Sequence, residues 1–328
     1  MNKRWFGFAI VVCAVLCALV FVPVSNAASS PITLKCVSFL PKTDHHLYYF
    51  FKFVERVQQQ SKGELIIQVV GGPEAIPSFE QIQAVRTGVV QLVATCSAYY
   101  IGDLKEALAF QYGTITPLAE RQVGFYDMMD KIHQEKLNVK YLGRFSYPGH
   151  FYFFSNKPLR KISDFNGKLI RSNPGYEPFV KALGASPMNT SFSEVFSVME
   201  RGVADAFAWP VDGPLSYGWE SIFKYVILPG FYEMNTVAHM NLDTWKRLPD
   251  NLKKIIMDNV LWMEEEMVGY YEGYEKKALK ILKDEKSKEL ITVEDSEAYL
   301  KMANDSAWKM VKEACPQTGS KMEAMIRK

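Results

Sequence analysis

Residues 166–210, NGKLIRSNPGYEPFVKALGASPMNTSFSEVFSVMERGVADAFAWP, contain the pattern that decides the fold. The short apolar strand KLIR ends at Arg171 and is followed by a helix and a glycine turn. Ser191 and Glu194 form a capping box that opens a second helix, which Gly202 ends before the strand VADAFAW. Strands that alternate with single helices predict an α/β fold, with a mostly parallel sheet flanked by helices on both faces.

The same alternation occurs earlier in the chain. Thr43 or Asp44 is expected to cap a helix, and a second capping box, from Ser78 to Gln81, is expected to open another. Apolar strands are predicted at 33–40, 64–70, 89–96, 139–145 and 150–155.

Two lobes are expected, because a mature chain of about 300 residues exceeds what one core usually organises. QAVRTGVVQLVAT at 83–95 and SVMERGVADAFAW at 197–209 share the order helix end, glycine, strand, which suggests two lobes of one architecture. A helix from Pro249 to about Lys283 would be about 50 Å long and could brace both lobes.

The predicted boundaries follow from these elements. They are a leader at 1–27, a first lobe at 28–147 and 235–273, and a second lobe at 148–234 and 274–328. The chain is expected to cross between the lobes at Tyr147-Pro148-Gly149 and at Pro229-Gly230, where hinges could lie.

The leader has the features of a secretory signal peptide. Lys3 and Arg4 precede an apolar run that ends at Val22, and Ser25-Asn26-Ala27 is a small-residue cleavage site. Pro23 interrupts the run, which disfavours a retained transmembrane anchor. We therefore expect a periplasmic protein that is cleaved near Ala27 and carries no lipid anchor.

Charge and cysteine content exclude several classes of function. Removal of Lys3 and Arg4 leaves 36 Lys and Arg against 36 Asp and Glu, so the mature chain is formally neutral and nucleic acid is an unexpected partner. Cys36, Cys96 and Cys315 remain, an odd number without close spacing, which indicates unpaired thiols rather than a disulfide framework or a zinc site.

The common catalytic motifs of secreted α/β enzymes do not occur. The chain has no G-x-S-x-G, H-E-x-x-H, G-x-G-x-x-G or G-x-x-x-x-G-K-[ST] sequence. His45 and His46 are adjacent at a predicted helix start, so their side chains diverge by about 100° and are expected to be solvated rather than to share a metal. No cofactor and no metal site are predicted.

Arg171 is the strongest candidate for ligand binding. Ligands meet α/β lobes beyond the carboxyl ends of the strands, and KLIR places Arg171 at such an end. A guanidinium presents a planar fork of donors that suits a carboxylate. The alternative is a structural ion pair with a nearby Asp or Glu, and the residues alone leave both open.

The stretch 167–210 resembles the core of the DctP-type solute-binding proteins of TRAP (tripartite ATP-independent periplasmic) transporters. A looser likeness extends over residues 32–284. The matching positions are Gly167, Arg171, Leu183-Gly184-Ala185, Pro187, Ser193-Glu194-Val195-Phe196, Gly202, Asp205 and Pro210.

The resemblance implies a two-lobed periplasmic binding protein that closes over an organic acid and delivers it to the TRAP membrane permease subunits, with Arg171 clamping the carboxylate. Phe192 matches a position that packs on the ligand. Where several sugar-acid receptors of the family have a second Arg, this chain has His150-Phe151, and Trp209 stands where Asn is frequent. The predicted ligand-binding residues are Arg171, Trp209, Phe192, His150, Phe39, Tyr99, Phe151 and Asn173.

The aromatic residues of this set favour a ligand with an apolar or aromatic body, although each of them could instead belong to the core. We expect a monomer that binds a monocarboxylate such as a 2-oxo or 2-hydroxy acid, rather than a sugar acid. The alternatives are a secreted hydrolase or lyase that uses His150 with a cleft carboxylate, and a receptor that feeds a sensor kinase.

Overall fold

The computed structural model describes residues 30–327. The predicted leader at 1–27 lies outside the described residues. Within 30–327, no helix is long and apolar enough to cross a membrane.

The first sheet holds strands from both halves of the sequence, in the order β2-β1-β3-β10-β4. β10 runs antiparallel to both of its neighbours, whereas the other strands share one direction. The strands are β1 Ile32–Ser38, β2 Leu65–Gly71, β3 Leu92–Cys96, β4 Val139–Arg144 and β10 Thr236–Asn241.

The second sheet has the order β11-β9-β5-β8-β6-β7, and here β5 is the strand that runs against the others. Both sheets are therefore mostly parallel, as predicted. The strands are β5 His150–Ser155, β6 Leu169–Ser172, β7 Ser186–Asn189, β8 Ala206–Pro210, β9 Tyr225–Glu233 and β11 Glu289–Thr292.

Helices flank both sheets, and the helices predicted after Asp44, after Ser191 and from Pro249 are present. Ser191 and Glu194 form the expected capping box before α7, and Gly88 and Gly202, both with positive φ, precede β3 and β8 in the same way. The α-helices are α1 Tyr48–Gln60, α2 Gln81–Arg86, α3 Ala109–Tyr112, α4 Pro117–Gln122, α5 Phe125–Leu137, α6 Glu177–Ala182, α7 Val195–Glu200, α8 Gly213–Ser216, α9 Leu242–Arg247, α10 Asp250–Asp284, α11 Ser296–Ala314 and α12 Gly319–Ile326.

The two antiparallel strands are the ones that follow a direct crossing between the sheets. β4 ends in the first sheet at Arg144 and β5 begins in the second at His150, with no helix between them. A strand that enters a sheet from the cleft must run away from the cleft, so it opposes strands whose carboxyl ends point toward it. The carboxyl ends of the parallel strands in both sheets consequently face one cleft.

The crossing predicted at Pro229-Gly230 is wrong. Both residues lie within β9, which stays paired with β5 up to Glu233, and the chain crosses to the first sheet at Met234-Asn235. Pro229 is tolerated in the strand because the pairing register shifts between Phe151 and Phe153, which is where a residue without an N–H fits.

The capping box predicted at Ser78 is also wrong. Ser78 donates its hydroxyl to the Phe39 carbonyl, 3.1 Å away, instead of capping a helix. Gln81 begins α2, and its side-chain amide donates to the carbonyls of Ser38 and Ile76. These hydrogen bonds hold the end of β1. The bonds to that end join segments that are far apart in the sequence, so the spacing of Ser78 and Gln81 does not predict them.

The 35-residue helix α10 contacts both sheets, in the bracing role predicted for it. At its first half, Glu264 pairs with Arg121 (2.5 Å to Nε) and accepts the Arg144 backbone N–H of β4. At its second half, Glu275 accepts hydrogen bonds from His150 and Tyr152 of β5. A single rigid element therefore contacts both sheets beside the cleft.

We expect Gly143→Ala to destabilise the protein by about 1–3 kcal/mol. A Cβ at Gly143 would lie 2.4 Å from Glu264 Oε1 and 2.5 Å from Val260 Cγ1, so α10 would have to shift away from β4. Gly273→Ala is the matched control, since nothing lies within 4 Å of its added Cβ and alanine favours an exposed helix by about 0.5–1 kcal/mol. Urea unfolding of both variants measures the difference, and equal midpoints would contradict close packing at Gly143.

Candidate functional site

A cavity lies where the carboxyl ends of strands from the two sheets meet. The space within it, counted together with the part that is open to solvent, is about 370 Å³. Five of the eight predicted residues line it: Phe39 and Tyr99 from the first sheet's side, and Phe151, Asn173 and Trp209 from the second.

Apolar side chains form most of its wall, and four of the twelve lining residues are Phe, Tyr or Trp. The rings of Phe39 and Tyr99 lie 5.8 Å apart, and Phe151 packs on Tyr176 at 5.5 Å. The polar groups of the wall include Asn173, Asn235, Thr236 and the Cys96 thiol. Such a combination suits a small organic molecule with an apolar body and a few polar atoms.

Arg171 lies directly behind this wall, with its Cζ 5.1 Å from the centre of the Trp209 ring. The side chain is 0% exposed. Its Nε and Nη2 donate to Thr190 Oγ1 (3.0 Å) and to the Thr190 carbonyl (2.6 Å), and Nη1 donates to Tyr176 Oη (2.9 Å). Tyr176 in turn donates to the Ala208 carbonyl, so the guanidinium is fixed in position.

Arg171 has no carboxylate partner within the part of the chain that the structure describes. Its three hydrogen bonds go to neutral oxygens, and one N–H on each terminal nitrogen is not used by them. The structural ion pair, the alternative left open by the sequence, is therefore not formed. A buried cation without an anion is costly unless a ligand supplies the negative charge.

Phe192 does not reach the cavity. It is half-buried in an aromatic cluster with Tyr217, Trp219 and Trp209, at ring distances of 4.7, 5.6 and 5.9 Å. Phe192 therefore supports the back of Trp209 in this conformation.

His150 also lies outside the cavity. Its Nδ1 is 3.0 Å from Glu275 and its Nε2 is 3.1 Å from Glu233. Burial lowers the pKa of His150, but the hydrogen bonds to Glu233 and Glu275 outweigh burial and raise it to about 10. A histidine that stays protonated between two carboxylates is poorly suited to act as a general base.

Several residues of the site were not predicted from the sequence. Tyr176 and Thr190, which orient Arg171, lie within the stretch quoted above but have no distinctive spacing. Asn235 donates to Ser97 Oγ (2.7 Å) and Gln111 Oε1 (3.0 Å) and lies 2.8 Å from the Cys96 thiol. It occupies the second crossing, which lies beyond the hinge predicted at Pro229-Gly230.

The expectation that His46 is solvated is wrong. His46 is 2% exposed and lines the cavity. Its neighbour His45 stacks on Tyr274, at 3.6 Å between ring centres. The turn that contains His45 and His46 is buried because it packs against the second lobe. The sequence around these two residues does not predict that contact.

The cavity wall carries no carboxylate among the described residues. Burial raises the pKa of the Cys96 thiol to about 12 and also raises the pKa of Tyr99, so both groups are neutral at pH 7. All three cysteines outside the leader are buried and unpaired, as predicted. Within residues 30–327, no group of three His, Cys, Asp or Glu side chains could hold a metal ion.

Comparison with known proteins identifies the family. Residues 38–314 match the model of DctP, described as bacterial extracellular solute-binding protein, family 7. The chain is 26% identical over 239 residues to a monocarboxylate 2-oxoacid-binding periplasmic protein of Nostoc sp., covering 69% of this chain and 64% of that protein. It is 22% identical over 263 residues to the C4-dicarboxylate-binding periplasmic protein DctP of Rhodobacter capsulatus, covering 76% and 77%.

Solved structures share the fold. A TRAP periplasmic solute-binding protein of Desulfovibrio salexigens with bound orotic acid has a TM-score of 0.79 at 18% identity, with 89% of this chain and 96% of that chain covered. One from Colwellia psychrerythraea with bound calcium and pyruvate has a TM-score of 0.77 at 17% identity, with 90% and 93% covered.

The predicted resemblance is thus confirmed over most of the chain, and the two-sheet architecture agrees with it. The chain belongs to the DctP family of bacterial extracellular solute-binding proteins, so it is a periplasmic receptor for a solute rather than an enzyme.

Proposed function

We propose that the protein binds an organic carboxylate between its lobes and delivers it to a TRAP permease, with Arg171 as the carboxylate anchor. The observation that carries this proposal is the buried guanidinium of Arg171, which is held by Thr190 and Tyr176 and has no acidic partner in the described chain. A ligand carboxylate would supply the missing anion, and each charge-assisted bond to it would contribute roughly 1.5–3 kcal/mol.

The ligand that fits this site best is a monocarboxylate with an apolar or aromatic body, such as a 2-oxo or 2-hydroxy acid. The wall is mostly apolar and includes four aromatic rings, and His150, where a second charged clamp was considered, is paired with Glu233 and Glu275. The Nostoc relative is described as binding 2-oxoacids, and the D. salexigens protein was solved with orotic acid, a planar carboxylate. A second carboxylate would find no unpaired cation in the described wall, because His46 is already held by Asp44 and Asp212.

Binding would close the lobes over the ligand. The ligand contacts groups of both lobes only in the closed form, so its binding energy favours closure. We place the lobe boundaries at the crossings 147/148 and 234/235 and, within α10, at 273/274. We further propose that the mature chain begins near Ala28 and acts as a monomer.

We expect one class of monocarboxylate to raise the melting temperature of the mature, ligand-stripped chain by several degrees. Ligand at 100 times its Kd stabilises the folded state by about 2.7 kcal/mol. The panel contains aromatic acids, 2-oxo acids, C4-dicarboxylates and sugar acids. A shift that is confined to dicarboxylates or sugar acids would overturn the proposed ligand class.

Arg171→Lys should weaken binding of that acid by about 10- to 100-fold, since the charge remains but the donor fork is lost. Isothermal titration calorimetry measures the change. Arg201→Lys is the matched control, because the hydrogen bonds that Arg201 makes within residues 30–327 all go to Ser197, at the exposed end of α7. Unchanged affinity in folded Arg171→Lys would assign Arg171 to structure.

Affinity should not change when EDTA is added. Calcium prefers carboxylate and carbonyl oxygens, and the described cavity wall offers no carboxylate to hold it. Calorimetry with and without EDTA tests this, and a loss of binding on chelation would show that the ligand arrives with a cation, as in the Colwellia structure.

A further inference from the structure

His46 lies between two carboxylates that belong to different lobes. Its Nδ1 is 2.9 Å from Asp44 Oδ1 and its Nε2 is 3.1 Å from Asp212 Oδ1. Asp44 follows β1 of the first sheet, and Asp212 follows β8 of the second. All three side chains are at least nine-tenths buried, with exposures of 2%, 5% and 6% for His46, Asp44 and Asp212.

This geometry requires a protonated imidazole. An ionised carboxylate only accepts hydrogen bonds, so both ring nitrogens of His46 must carry a hydrogen to satisfy both partners. In agreement, burial lowers the pKa of His46, but the charges of Asp212 and Asp44 outweigh burial and raise it to about 10. The His46 charge in turn outweighs burial at Asp212 and lowers the pKa of that carboxyl.

No other ionisable group described around His46 supplies a positive charge between Asp44 and Asp212. Tyr217 donates to Asp44 Oδ2, and Tyr271 donates to the carbonyls of His45 and His46 at 3.2 Å. Burial lowers the pKa of His45 to about 4, so His45 is neutral at pH 7. The pocket next to His46 also contains Tyr274, Glu275 and His150, and Glu275 pairs with His150.

Two of these contacts cross the cleft, namely His46 with Asp212 and Tyr217 with Asp44. Both must break when the lobes part. His46 then keeps only Asp44 and becomes more accessible to water, so it holds its proton less tightly in the open form. At any pH at which His46 is neutral in the open form, closure of the lobes therefore takes up one proton.

We propose that His46 is an inter-lobe latch whose imidazolium, shared by Asp44 and Asp212, holds the receptor closed, so that closure over the ligand takes up a proton. The proposal rests on the proposed function insofar as it makes ligand binding pH-dependent. The latch lies in the wall of the ligand cavity, so solute and latch favour the same closed form.

The sign of the effect follows from the linkage. The closed form binds the proton more tightly, so a rise in pH above the pKa of the open form favours opening. The ratio of closed to open molecules should fall by up to about tenfold per pH unit in that range. The fall ends near pH 10, where the closed form also loses the proton.

The test measures the distance between spin labels on the ligand-free mature chain. Val89→Cys and Val203→Cys place the labels on exposed residues just before β3 and β8, at the strand ends that face away from the cleft, and the native cysteines are buried. From pH 6 to pH 10, the wild-type population should move from the closed to the open distance. His46→Gln, which cannot carry the charge, should show no such pH dependence.

Two further variants keep the result decisive. Asp212→Asn leaves His46 and Asp44 in place, so it tests the latch even if His46→Gln does not fold, and it should also abolish the dependence. His150→Gln is the matched control, because His150 is likewise held by two carboxylates but makes no contact of this kind across the cleft; it should retain the dependence. Distances that do not change with pH in wild type, or that change equally in His46→Gln, would overturn the latch.

Failure of the latch and failure of the proposed function give different results. If phenylpyruvate binds with an affinity that is the same at pH 6.5 and pH 9, and the ligand-free distances do not change either, the receptor assignment stands and the latch is wrong. If no acid of the panel binds, the proposed function is wrong, yet the ligand-free distances still decide whether His46 controls closure.

Discussion

The direction of two crossing strands is the constraint on which the rest of the structure depends. β5 and β10 each enter a sheet straight from the other one, so each must run away from the cleft while its neighbours run toward it. This arrangement brings the carboxyl ends of the remaining parallel strands in both sheets to one place. Arg171, Trp209, Tyr99 and Phe39 lie at or just beyond such ends, so a single cavity can be built from residues far apart in the sequence.

The arginine side chains near the cleft differ in whether they are paired with a carboxylate. Arg121 pairs with Glu264, and Arg144 pairs with Glu120 at 2.8 Å while also donating to the Met234 carbonyl at the second crossing. These pairs stabilise the junction of β4, α4 and α10. Arg171 is as buried as Arg144 but is held by neutral oxygens only. A rigidly positioned charge without an anion supports the role in ligand binding that we propose for Arg171, since pairing it internally would be less costly.

Local patterns were sufficient to predict the strands, the capping box at Ser191 and α10, because periodicity and turn residues act over a few positions. Five of the eight proposed site residues line one cavity, because the predicted strands place them at carboxyl ends that converge in the fold. The errors concern contacts between distant segments. Pro229 remains in a strand because the pairing of β5 with β9 shifts its register there. Ser78 donates a hydrogen bond to the Phe39 carbonyl instead of capping a helix. His46 is buried by the second lobe, and residues close to His46 in the sequence do not predict that contact.

The charges around the cleft also bear on how an anion can enter it. Asp44 and Asp212 are close to the cavity, and with a neutral His46 they would together carry two negative charges beside an incoming carboxylate. Protonation of His46 halves that net charge and at the same time satisfies both carboxylates across the lobes. The same proton therefore weakens the repulsion of a ligand carboxylate and stabilises the contact between the lobes. Arg171, whose Cζ lies 5.1 Å from the centre of the Trp209 ring, is then a buried cation without a carboxylate partner among the described residues.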